Sequence, residues 1–334
     1  MTWATLGSLA LPFQLNRNAT ALKADIARLG IEATTGEAQR PQALLQGNLT
    51  PLAAVEARMA RVATFGQTAR LALTQADTAQ TALGQVATLG RDTASRMLTA
   101  AAGAGDDAVL TAGKSARAAF ADVVSALSQQ NAGRSVFSGV ASDRPPLIAA
   151  DAMIAALGPV VAGLTSAAAV AAAVSSAFLD PGGAFETTFF QGGIEGPGAL
   201  IDTGDAADPL PTAADMGIRT MLAALATSAM VGEPALALDA GQRRALAQSG
   251  AEGLMTADRG LTDLQARVGM GQERLDHRVT QLTGERDALA LARQEMVGVD
   301  PYEAVTKLEN AQTRLQSIYA VTARTARLSL TEYL

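Results

Sequence analysis

The sequence predicts a mainly α protein: an elongated antiparallel helical bundle or coiled coil, with paired N- and C-terminal helices and a small inserted mixed α/β domain. Three observations predict it. The two ends carry apolar stripes of one helical period, a run from 241 to 296 holds that period with no internal proline, and alanine dominates the apolar residues. Aromatics are only 4% and charged residues 17% of the chain, against roughly a quarter charged in an average domain, so large side chains are scarce. Alanine costs no side-chain entropy in a helix and lets neighbouring backbones approach closely.

The N-terminal stripe is Leu15, Ala19, Leu22, Ile26 and Leu29, spaced four, three, four and three, and it stops at Gly30, a common helix C-terminal residue. At the other end Val305, Leu308, Gln312, Leu315, Tyr319, Thr322, Ala326 and Ser329 step at threes and fours to the chain's end, with Leu328, Leu330, Tyr333 and Leu334 as further apolar residues. Two terminal stripes of one period can bury each other. A chain whose ends pair runs out and back, which leaves its middle as an inserted excursion.

Between these ends, Pro51 follows Thr50 as a first-turn proline follows an N-cap, and Leu52, Val55, Met59 and Val62 begin a second stripe. Gly103 and Gly105 break the helical texture, which resumes over 115–130, so 48–130 reads as two or three antiparallel helices. In NAGRSVFSGVASDRPPL (131–147), Asn131, Gly133, Gly139, Pro145 and Pro146 bracket Val136 and Phe137, as in a small hairpin that ends the helical part. The stretch 152–178 is uncharged and long enough to cross a bilayer, yet small residues dominate it, Gly158 and Pro159 interrupt it and no basic or aromatic anchor flanks it; a soluble Ala-rich helical segment is expected. The run FETTFF and the Gly- and Pro-punctuated residues after it suggest short strands, and 212–230 is helical again. From 241 to 296, Leu254, Ala257, Leu261, Leu264, Val268, Leu275, Val279, Leu282, Leu289 and Met296 fall on threes, fours and sevens.

The expected organisation is therefore 1–40 with 297–334 as a terminal helical domain, 41–147 with 239–296 as a long-helix bundle carrying the hairpin, and 148–238 as the inserted mixed domain. The candidate assembly interface is Leu15, Leu22, Ile26 and Leu29 with Val305, Leu308, Leu315, Tyr319, Leu328, Leu330, Tyr333 and Leu334.

Three segments together resemble the flagellin superfamily, most closely its hook-associated protein 3 family. NAGRSVFSGVASDRPPL is similar to the family's turn motif, carried here by Asn131, Gly133, Phe137, Gly139 and Pro145. NAQTRLQSIYAVTARTARLSLTEYL is similar to the junction proteins' C-terminal end, and LKADIARLGIEATTGEA to the family's leading helix with its Ser/Thr-Gly. After Thr35-Gly36 the chain reads EAQRPQALL, where the family usually carries a Ser-Asp-Asp-Pro type sequence. The resemblance implies a structural subunit of the flagellum, exported without a cleaved signal peptide and extracellular. It implies as partners other copies of the chain in a ring or tube, the preceding hook-associated protein, flagellin and a cytosolic export chaperone. Flagellin itself is the alternative within the superfamily, and a helical coiled-coil signalling or scaffold rod is the alternative outside it.

Little in the sequence supports chemistry. Net charge is −6 with scattered Lys and Arg, which argues against nucleic acid and acidic membrane as partners. Cysteine is absent and His277 is the sole histidine, set among charged positions of a helix, so no catalytic triad, cofactor or metal site is expected. Asp106 and Asp107 lack the alternating oxygen spacing of a calcium loop, GGIEGPG lacks the Lys-Ser/Thr of a phosphate loop, and Glu273 with Asp276 reads as a solvated helix face. An enzyme is not expected. The start of the chain has an apolar cluster but its first basic residue, Arg17, comes after it, unlike a signal peptide.

Overall fold

The computed structural model describes residues 5–103, 105–196, 198–234 and 236–331, with side chains from residue 13 to 324. In chain order the elements are α1 (Thr5–Thr35), α2 (Pro41–Leu44), α3 (Thr50–Ala102), α4 (Asp106–Leu127), β1 (Gln130–Asn131), β2 (Arg134–Ser135), α5 (Ala150–Val161), α6 (Ala167–Leu179), one π-helical turn (Phe185–Phe189), β3 (Leu200–Asp202), β4 (Asp205–Ala206), α7 (Met216–Met230), α8 (Ala240–Val297) and α9 (Pro301–Thr331). The protein is mainly α. Its backbone contacts divide into two compact units, 1–63 with 283–334, and 64–282.

In the unit of 64–282, α3 buries every seventh residue in two rows: Ala69, Ala76, Leu83, Gly90 and Met97, and Ala72, Ala79, Val86, Thr93 and Ala100. The facing row on α8 is Ala247, Leu254, Leu261, Val268, Leu275 and Leu282, again at sevens. A strict heptad seam keeps one face of each helix toward its partner. Polar contacts fix an antiparallel register: Gln272 donates to Asp77 (2.7 Å), Gly84 lies beneath Gln265, and Arg91 faces Asp258 (3.8 Å), each step advancing seven residues on α3 and receding seven on α8.

Helix α7 is buried on nearly all sides, from Ile218 through Met230 apart from Thr220, and it packs on α4 and α6. Its contact with α8 is made of small residues in sequence, with Gly217 against Gly260, Ala224 against Gly253 and Ser228 against Gly250. Missing side chains let the two backbones approach closely, the geometry that an Ala- and Gly-rich composition permits. Helices α5, α6 and α7 share one hydrophobic core with α3, α4 and α8.

Phe120, Phe137, Phe178, Phe185 and Phe189 are buried in that core. Phe178 of α6 lies 6.4 Å from Phe120 of α4, 6.1 Å from Phe185 and 5.4 Å from Phe189, centroid to centroid. FETTFF thus forms a helical turn rather than the expected strand: placing Phe185 and Phe189 on one face delivers both rings to Phe178. Arg219 of α7 is buried beside them, donating to the Phe178 carbonyl (2.8 Å) and to Glu186 (3.1 Å) with its guanidinium 4.9 Å from the Phe185 ring centroid. It ties the ends of α6, the π turn and α7 together.

Two further sequence expectations are corrected. Helix α1 passes through Gly30 and ends at Thr35; Thr34 and Thr35 hydroxyls bond back to the carbonyls of Gly30 and Ile31, and Gly36 supplies the positive φ (69°) that closes the helix. Residues 152–178 form two helices, α5 and α6, separated by Ala162–Ser166, with Pro159 tolerated inside α5. Among the described residues no helix is long and apolar enough to cross a membrane.

Candidate assembly surface

In the unit of 1–63 with 283–334, α1 and α9 pack against each other. On α1 the covered face is the one read from sequence: Ala19 and Leu29 are buried, and Leu15, Leu22 and Ile26 are half-buried. On α9 the covered face is Ala304, Leu308, Ala311, Leu315 and Ile318. Leu308 and Leu315 match the sequence stripe, but Val305 and Tyr319 lie to one side and are exposed, so the seam is rotated by one residue at those steps. Alanines take the covered steps. Ala304 and Ala311 are the two buried residues of this face, and alanine lets neighbouring backbones approach. Lys23 of α1 stands 5.8 Å from the centroid of the Tyr319 ring, a cation–π contact at the margin of the seam. The side chains of Leu328 and Leu330, and all of Tyr333 and Leu334, lie outside the described residues.

A few large apolar side chains also stand open away from the seam. Phe13 (72% exposed) and Ile31 stand eighteen residues apart on α1, five helical turns, and so share a face opposite the seam. Tyr302 (82% exposed), Val305, Tyr319 and Val321 are open on α9.

A clasp that sequence reasoning missed joins the end of α1 to the α8–α9 connection. The carboxylate of Glu37 accepts both terminal nitrogens of Arg293 (2.6 and 2.9 Å), and the Arg293 Nε faces Glu56 (3.5 Å). Around this pair the Ala38 N–H donates to the Val297 carbonyl (2.8 Å) and the Val299 N–H to the Gly36 carbonyl (2.9 Å), so Glu37 and Gly298 form an isolated antiparallel bridge. Beneath it the buried Glu32 accepts from Arg28 (2.9 Å) and from the Gln39 N–H (3.0 Å). Gly36 was visible as a turn residue. The partner of the neighbouring Glu37 was not, because Arg293 lies 256 positions away.

The hydrogen bonds from Arg293, and then its charge, hold the Glu37 carboxyl below the usual carboxylate range against an opposing effect of burial. A group lowered in the folded state stabilises above its unfolded pKa, about 4.3 for Glu, and loses that stability as pH falls through the folded value. The clasp is thus closed at neutral pH and opens in acid. Arg293→Gln is expected to cost about 1 kcal/mol, near the upper end for a partly exposed pair because the contact is bidentate. Exchange of the Ala38 and Val299 amides, corrected for intrinsic rates, should rise below pH 4 in the parent and be fast and pH-independent in the variant.

In the other unit the turn motif takes a defined shape. Ala132 (φ 50°) and Gly133 (φ 76°) form the two-residue turn between β1 and β2, both left-handed as a type I′ hairpin requires. Asn131 donates to the Thr74 carbonyl and Thr78 hydroxyl of α3, Phe137 is fully buried, and Gly139 (φ 59°) passes against the backbone of Ile194, where a Cβ would collide. Pro145 is exposed. His277 is exposed, 3.9 Å from Glu273. Asp106 pairs with Arg243 at the start of α4 (3.2 Å), as part of an inter-helix contact.

These features define a class: a helical chain whose first and last helices pair, with long heptad helices and a short hairpin following α4. Residues 252–334 match the bacterial flagellin C-terminal helical region, which supports the flagellin superfamily for this chain. The match covers the C-terminal part of α8 and all described residues of α9. No curated protein matches the chain.

Proposed function

We propose that the protein is a structural, non-enzymatic subunit of the bacterial flagellum that assembles through its terminal helices. The observation that carries the reading is the packing of α1 against α9, the latter within a segment matching the flagellin C-terminal helical region. Phe13, Ile31, Tyr302 and Val305 leave apolar surface on this pair for neighbouring copies. In this reading 1–40 and 297–334 form an inner tube layer and 148–238 faces outward.

The particular role we assign is the adaptor between hook and filament. Its partners are then further copies of itself, the preceding hook-associated protein and flagellin, with a cytosolic chaperone shielding the apolar faces before export. The turn motif at 131–147 and the closing Leu-Ser-Leu and Tyr-Leu residues support the adaptor; the match to the flagellin C-terminal region fits a filament subunit equally. Electron microscopy of a deletion strain separates them. Hooks without filaments, with flagellin shed into the medium, are expected for the adaptor; loss of the filament protein itself would mark a filament subunit, and normal flagella would refute both. Phe13→Asp with Tyr302→Asp should leave helix content unchanged and abolish assembly by sedimentation.

A further inference from the structure

Residues 199–211 lie along α8 and carry the β3–β4 pair. Their described backbone hydrogen bonds close on themselves, from the Ala207 N–H to the Ala199 carbonyl (2.8 Å) and between the two strands. At the segment's two ends the backbone is tied down, where Ile194 accepts from the Val140 N–H (3.1 Å) and the Ala213 N–H donates to Phe137 (2.9 Å). Between those ends the hold is ionic. Arg274 reaches Asp205 (2.6 Å) and Asp208 (3.2 Å), Arg278 pairs with Asp202 and donates to the Ile201 carbonyl (3.2 Å), and Arg267 pairs with Asp215 (2.8 Å) just beyond. The three arginines are seven and four residues apart and therefore share one face of α8.

Packing under the segment is thin. Ile201 is its one large, fully buried side chain; Ala207 and Pro211 are also buried and Leu210 is half-buried against the core. Two cavities, of about 350 and 430 Å³, open along it, and both are lined by Leu210 and by Leu275 of the heptad seam. A segment with few buried contacts, internal hydrogen bonds and ion pairs at its edge opens at lower free energy than the helices beneath it.

We propose that residues 199–211 form a salt-releasable strap, latched to α8 by Arg274 and Arg278, that opens while the rest of 64–282 stays folded. Salt weakens the latch selectively because its charges are partly exposed, and the screening length falls from roughly 30 Å at 0.01 M to 3 Å at 1 M. The heptad contact of α3 and α8 is apolar along its buried rows, with the 3.8 Å Arg91–Asp258 pair at its edge, and depends on salt far less.

Hydrogen exchange of the full chain, followed by peptide, tests this. Peptides over 199–211 should exchange about ten times faster at 500 mM than at 20 mM NaCl, while peptides of α7 and of α8 over 246–264 stay constant. Arg274→Glu should reproduce the fast exchange at low salt, and adding Asp205→Arg should restore protection. A strap indifferent to salt and to Arg274→Glu overturns the proposal. So does acceleration of α7 and α8 together with the strap, and so does failure of the reversed pair to restore protection.

Discussion

Phe178→Ala should lower the unfolding stability of residues 64–282 by about 3–5 kcal/mol, the range for truncating a fully buried aromatic. Phe178 is fully buried, and three other phenylalanine rings stand within 6.4 Å of its centroid. In a chain with so few aromatics this cluster concentrates the large side chains that the alanine-lined helix contacts lack. The substitution leaves the residue 178 carbonyl in place to accept from Arg219, so the loss reports packing rather than a broken hydrogen bond. Phe178→Leu, which keeps much of the volume, should cost less than about 1.5 kcal/mol. Urea unfolding followed by circular dichroism measures both, read from the midpoint at unchanged slope. Equal losses in the two variants would mean that the cavity around residue 178 collapses and that the rings contribute no specific packing.

The helices with a clean period were legible in the sequence. Leu254, Leu261, Val268, Leu275 and Leu282 fall at sevens in the chain and all are buried in α8. The N-terminal stripe was legible for the same reason, since one apolar face opposite a polar one leaves a single solution for burial. Helix α7 was legible as a helix, but its place was not: MLAALATSAM is small and apolar all round, and a helix without a polar face has no side that points to its partners. Its seat came from glycines on α8, and Gly250, Gly253 and Gly260 look like weak points of a helix until a second backbone is laid against them. The α9 seam shows the same ambiguity in milder form. Val305 and Tyr319 outweigh Ala304 and Ala311 in hydrophobicity, yet the alanines are the ones buried. The Glu37–Arg293 clasp and the arginine latch of α8 are pairings between distant segments. Charge complementarity between Arg267, Arg274, Arg278 and Asp202, Asp205, Asp208, Asp215 was present in the chain, without a local signal to join them.

The other large effect is expected at a glycine. Gly113 lies in the middle of α4, where replacing glycine by alanine ordinarily stabilises a helix by about 1 kcal/mol. Here a Cβ on residue 113 would overlap the Gly232 amide nitrogen and stand 2.9 Å from its Cα, and a Cβ on Gly232 would stand 3.1 Å from the Gly113 carbonyl carbon. Both opposing groups are backbone, so no side chain can rotate away and one helix end must move. Overpacking costs of about 1–3 kcal/mol apply to sites where side chains adjust, and a backbone collision falls at the top of that range, above the propensity gain. Gly113→Ala should therefore destabilise by about 2 kcal/mol, and Gly113→Val by more, since its β-branch adds volume and lowers helix propensity. Gly269 of α8 provides the opposite sign in the same unit: nothing lies within 4 Å of its Cβ position, and Gly269→Ala should stabilise by up to about 1 kcal/mol. Thermal unfolding of the two variants beside the parent decides the matter. A stabilised Gly113→Ala would show that α4 and the end of α7 do not meet backbone to backbone.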